Sequence, residues 1–154
     1  MNQTELVAVN CLVDAFVNLM GPVKRIHGYH AVRKAPPDPR DSVTLLLEFA
    51  SGLSGTIATV RPTPLFWRVH VFGDKANAEA IGETELVVRR STSTPPERHT
   101  FEAKDTLLGE LESFADAIEN RAAFHIQPRE MLANVAAFEA AVKALEVNGV
   151  VDVH

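Results

Sequence analysis

The sequence predicts an α+β fold: a large, predominantly antiparallel β-sheet with helices packed on one of its faces. Three observations lead there. Apolar residues recur every three to four positions near both ends of the chain but alternate through the middle. Turns containing glycine or proline separate the middle runs at short intervals. No helical segment intervenes between those runs, so the strands have hairpin connections rather than parallel crossovers.

Glu5 to Met20 reads as a helix, with Leu6, Val9, Val13, Phe16 and Met20 as its apolar stripe and Gly21–Pro22 as its stop. Val7, Cys11, Asp14 and Asn18 form a second, mixed line that suits either a solvent face or the wall of a cleft. Val23 to Lys34 is a long polar strand, followed by the stiff Pro36-Pro37-Asp38-Pro39. In Ser42 to Ala50, Val43, Leu45, Leu47 and Phe49 alternate with Thr44, Leu46 and Glu48. Turn residues Ser51 to Gly55 lead into Thr56 to Val60, and Pro62 and Pro64 interrupt the chain before Phe66 to Phe72. Shorter strands follow at Asn77 to Ile81, Leu86 to Arg90 and His99 to Glu102, with turns at Gly73-Asp74-Lys75 and Gly82-Glu83-Thr84. Asp105 is placed to cap a helix bearing Leu108, Leu111, Phe114, Ala115 and Ile118. Pro128 opens another, striped by Met131, Val135, Phe138, Val142 and Leu145 and stopped at Asn148–Gly149. Val150 to Val153 closes the chain as a short strand.

A chain of 154 residues suits a single domain over 1–154, large enough to fold without disulfides or metal. The formal net charge of −5 argues against nucleic acid or an anionic membrane as partner. One cysteine, Cys11, excludes an intrachain disulfide, and no apolar run approaches a membrane span, so a soluble, cytoplasmic protein is expected. No two of the eight glycines are separated by a single residue, so the glycine-rich strand-to-helix turn that cradles a pyrophosphate is missing. The six histidines have no metal-ligand spacing; His27 and His30, three apart on a strand, should face opposite ways.

Five stretches in order carry a family resemblance: Cys11 to Gly21, Leu47 to Ile57, Val69 to Ala76, Glu112 to Ile118, and Pro128 through Gly149 to Val153. Together they resemble the C-terminal domain of the glucose–fructose oxidoreductase, inositol dehydrogenase and rhizopine-catabolism (Gfo/Idh/MocA) family, without its N-terminal Rossmann domain. The resemblance implies a C-terminal domain of the dihydrodipicolinate-reductase/glyceraldehyde-phosphate-dehydrogenase-like type. It also implies that NAD(P) and a lysine belong to the Rossmann half, while the C-terminal half contributes substrate contacts and an acid–base histidine. Aligned on Asp14 and Gly21, the histidine position holds Cys11, and a further polar catalytic position holds Val7. Valine transfers no proton, and cysteine needs unusual activation to act as a base near neutral pH.

The chain alone is therefore expected to have no dehydrogenase activity, no catalytic residue, no cofactor and no metal. Cys11 is expected to be a small packed hydrophobe. Asp14, Arg25, His27, Tyr29, Arg33 and Arg68 are the candidate contacts for a small polar ligand, their plainer reading being surface or interface residues. Helices cover only one sheet face, so a face bearing Leu45 or Leu46, Val60, Phe66, Val69 and Val71 needs another cover, and a homo-oligomer paired through the sheet is expected. The alternatives are a substrate-binding half completed in trans by a separate Rossmann-domain protein, or a module binding a small polar ligand. Titration calorimetry with NAD(H) and NADP(H) should give no saturable isotherm; a 1:1 isotherm of micromolar affinity would overturn the reading of the glycines.

Overall fold

The computed structural model describes residues 3–32, 40–60, 64 and 66–154, with the side chains of 3–8, 32, 40 and 41 left undescribed. The elements run α1 (Gln3–Met20), β1 (Val23–Val32), β2 (Arg40–Phe49), β3 (Ser54–Val60), β4 (Arg68–Phe72), β5 (Asn77–Ile81), β6 (Glu85–Arg89), β7 (Glu97–Thr100), α2 (Thr106–Ile118), α3 (Pro128–Val147) and β8 (Val150–Asp152). The class is α+β and every strand pairing is antiparallel, as expected. Among the described residues, however, the strands divide into two four-stranded sheets, β3-β2-β1-β8 and β4-β5-β6-β7. The division falls between β3 and β4. The chain correspondingly forms two compact units, Met1–Pro62 with His125–His154, and Thr63–Phe124.

In the first unit, α1 and α3 seal one sheet face. Val43, Leu45, Leu47 and Phe49 of β2, Ile26 of β1 and Ile57 of β3 point into the core, while Thr44, Leu46 and Glu48 point out. The three consecutive leucines thus obey strict alternation. Helix α1 buries Val9, Val13 and Val17, with Leu12, Phe16 and Met20 partly buried beside them. Its core line is therefore rotated towards Val17, which the expected stripe lacked. Gly21 ends α1 at φ +84°, its N–H donating to the Val17 carbonyl at 2.9 Å.

Helix α3 departs further from its expected stripe. Its buried side chains are Ala137, Ala140, Ala141, Ala144 and Leu145, whereas Met131 and Val135 are exposed and Phe138 and Val142 are half-buried. The reason is closeness. A Cβ built on Gly28 of β1 would lie 2.6 Å from the Ala144 carbonyl carbon, so the helix and strand backbones meet with only hydrogen and methyl groups between them. The larger side chains of α3 do not fit that gap, and the alanine line turns inward instead. Asn148, left-handed at φ +46°, ends the helix, and its Oδ1 accepts from the His30 N–H at 3.0 Å. With the Gly28 N–H donating to the Gly149 carbonyl at 2.9 Å, the helix terminus continues the ladder that β8 makes with β1.

In the second unit, the last strand starts two residues earlier than expected, at Glu97. Asp105 caps α2 as predicted, its Oδ1 accepting from the Leu108 N–H at 2.9 Å. Pro36 to Pro39 lies outside the described residues.

Gly28→Ala should lower unfolding stability by about 1–3 kcal/mol, since its methyl meets rigid backbone rather than a movable side chain. Gly109→Ala, in open space on α2, should raise it by up to about 1 kcal/mol. Denaturant unfolding of both variants checks the pair; equal effects would contradict the close approach.

Candidate functional site

The candidate residues separate into three places. Arg25, His27 and Tyr29 alternate along β1 and share the sheet face that α1 and α3 leave open. Asp14 lies on the solvent side of α1, a helix that covers the opposite face, and Arg68 belongs to the second unit. Arg33 lies outside the described residues, as does the side chain of Val7 on α1. Among the described candidates of the first unit, Asp14 thus does not share a face with Arg25, His27 and Tyr29.

Strand register organises the open face into rows. Asp152, Arg25, Glu48 and Ser54 form one; Val150, His27, Leu46 and Thr56 the next; Tyr29, Thr44 and Ala58 a third; Ala31, Ser42 and Val60 a fourth. Arg25 Nε donates to Asp152 Oδ1 at 2.9 Å, and Nη1 reaches Glu48 Oε2 at 3.4 Å. The Arg25 hydrogen bond holds the Asp152 carboxyl below its ordinary range, and Arg25 is itself pushed above its own. Arg25 is thus occupied by intrachain partners. His27 is exposed and His30 buried, confirming their opposite orientations. Of the apolar residues expected on an uncovered face, only Leu46 and Val60 lie here: Leu45 is in the core and Val69 is buried in the second unit. The face is apolar at Tyr29, Leu46, Val60 and Val150, which are 59%, 42%, 44% and 56% exposed.

Cys11 requires a correction. It is exposed, not packed, because the core line of α1 runs through Val9, Val13 and Val17 and turns Cys11 outward with Asp14 and Asn18.

Arg68 has a defined role within its own sheet. Its Nε lies 2.8 Å from Glu79 Oε1, while Arg89 Nη1 donates to Glu79 Oε2 at 3.0 Å. The Arg68 guanidinium also stacks over Phe66, 4.8 Å from the ring centre. Glu79 is buried, and the hydrogen bond from Arg89, reinforced by the charge of Arg68, keeps its carboxyl below the ordinary range. Sequence reading named Arg68 but missed Glu79 and Arg89. The available signal was a lone carboxylate in the alanine-rich strand Asn77–Ile81, but its partners follow only from register.

Dinucleotide chemistry finds no cradle among the described residues. The left-handed glycines Gly21, Gly52 and Gly82 stand at a helix end and in hairpin turns, and the approach to α2 from Phe101 to Asp105 contains no glycine. No group of three or more His, Cys, Asp or Glu side chains is placed to hold a metal, and no helix is long and apolar enough to cross a membrane, among the described residues.

Cys11 should react with a thiol reagent in the native state nearly as fast as in the unfolded chain, and Cys11→Ala should change stability by less than about 0.5 kcal/mol. Labelling slower by orders of magnitude would return it to the core. For Glu79, a folded pKa below the unfolded one means that its contribution is complete above the ordinary carboxylate range and is lost as pH falls through the folded value. Glu79→Gln should therefore be less stable than the parent at neutral pH, with the gap closing in acid. Denaturant midpoints measured across pH check this.

No protein-family model matches the sequence, and no curated protein sequence is similar to it. Solved structures are. A proposed NADPH-dependent oxidoreductase from Desulfitobacterium hafniense matches with a TM-score of 0.79 at 24% identity, over 94% of this chain and 46% of its own. The UDP-N-acetylglucosamine 3-dehydrogenase GnnA from Acidithiobacillus ferrooxidans matches at 0.74 and 19%, over 90% and 46%. The WlbA dehydrogenase from Bordetella pertussis, solved with NADH and UDP-GlcNAcA, matches at 0.66 and 15%, over 96% and 46%. This chain thus spans just under half the length of these structures, and its fold is that of the C-terminal half of a Gfo/Idh/MocA-type oxidoreductase.

Proposed function

We propose that this chain is a non-catalytic assembly domain of the oxidoreductase type, pairing with a second copy of itself through the open face of its first sheet. The observation that carries the reading is the contrast between the two faces of that sheet. One is sealed by α1 and α3, while the other leaves Tyr29, Leu46, Val60 and Val150 exposed. One patch covering its own copy is the simplest closed arrangement. The Asp152–Arg25–Glu48 row borders the patch as a charged rim, and its internal pairing makes Arg25 a poor ligand contact. Val7 and Cys11, standing where the resemblance places proton-transfer groups, support the non-catalytic part of the reading.

Light scattering behind size exclusion at low micromolar concentration should give a mass of two chains or a multiple of two. Leu46→Glu, on the open face and outside the core, should shift that mass to one chain without loss of folded signal. A single-chain mass for the parent defeats the assembly reading; a dimer indifferent to Leu46→Glu moves the interface elsewhere.

The half-length match favours a second reading, in which a separate Rossmann-domain protein completes an enzyme in trans. In that case a mixture of the two proteins would reduce or oxidise a nicotinamide cofactor in the presence of a sugar substrate, and this chain alone would not.

A further inference from the structure

Helix α3 ends on Asn148–Gly149, and no other asparagine in the sequence precedes a glycine. That pair has a chemistry of its own. The Gly149 backbone nitrogen can attack Asn148 Cγ, closing a succinimide ring as the side-chain nitrogen leaves as ammonia. Water then opens the ring at either carbonyl, giving aspartate or isoaspartate, and no oxidant or reductant is consumed. A side chain on the following residue hinders the attack, and glycine has none.

The fold holds each participant away from that path. Asn148 sits at φ +46° and ψ +52°, whereas ring closure rotates ψ far from this value. The attacking nitrogen is committed, its N–H donating to the Ala144 carbonyl at 3.1 Å. The amide under attack is held through Oδ1, which accepts from the His30 N–H at 3.0 Å. Ala144 is itself fully buried with its backbone against Gly28, so the restraint is anchored in the core. Asn148 is nonetheless exposed to the water that completes the reaction. Nor does packing demand the glycine: a Cβ at Gly149 would meet Val147 at an ordinary 3.4 Å.

We propose that Asn148 is a deamidation site gated by the packing of α3 on β1. It is latent while the helix end is docked and reactive when that end opens. Isoaspartate then puts one extra carbon into the main chain between residues 148 and 149. On one side of that point the Asn148 N–H bonds the Ala144 carbonyl, and on the other the Gly28 N–H bonds the Gly149 carbonyl. With the added carbon the two cannot both keep register, and β8 loosens from β1. Because β8 supplies Val150 and Asp152 to the open sheet face, that face loses one edge with it.

The test incubates the full chain at mildly alkaline pH, folded and in denaturant, with peptide mass mapping around residue 148. The unfolded chain should convert at Asn148 ahead of its other asparagines, and the folded chain at least about tenfold more slowly, since reaction waits on local opening. Gly149→Ala should bring the unfolded-chain rate down to that of the other asparagines. In hydrogen exchange, the isolated isoaspartyl form should lose protection at the Gly28 and Val153 amides, which bond the Gly149 and Lys24 carbonyls in the parent. Asn148→Asp, which adds the charge without the carbon, should keep it. Equal folded and unfolded rates would overturn the gate. Retained protection in the isoaspartyl form, or equal loss in Asn148→Asp, would overturn the account of its consequence.

Discussion

The architecture of the first unit depends on the contact between α3 and β1 at Gly28. Helix and strand backbones approach until a methyl on Gly28 would lie 2.6 Å from the Ala144 carbonyl carbon, and that distance is available only to glycine on the strand. Several features follow from it. The alanine line of α3 becomes the buried one. The left-handed Asn148 is brought within reach of the His30 N–H, and the chain after it runs on to pair with β1 as β8. The helix layer is thereby fixed to one side of the sheet, and the other side is left for a different cover.

The second unit is organised by charge as much as by packing. Glu79 stands at the centre of its sheet between Arg68 and Arg89 on diagonally neighbouring positions, and Glu85 pairs with Arg98 on the same face. A buried carboxylate is costly to desolvate unless it is paired and hydrogen-bonded, and here two guanidinium groups meet both of its oxygens.

These placements change the meaning of the candidate residues. Arg25, His27 and Tyr29 share the open face of the first sheet with Leu46 and Val60. Cys11 and Asp14 occupy the exposed outer side of α1. The likeness to solved dehydrogenases is one of fold.

Local chemistry was enough to place the helices and most strands, the Gly21 and Asn148 stops, the Asp105 cap, and the opposite facing of His27 and His30. Each is decided within a few residues by backbone conformation, capping or alternation. Which apolar line of α3 turns inward, and that Cys11 does not, depended on how closely an element distant in sequence approaches. Valine and phenylalanine outrank alanine in any local stripe, yet the backbone of α3 meets β1 at Gly28 through Ala144 and Leu145. The Glu79 pairing was likewise settled by register, since Arg68 and Arg89 become its neighbours only when β4, β5 and β6 align. Periodicity reports that a face is apolar; the distance and register of its partner decide which side chains that face buries.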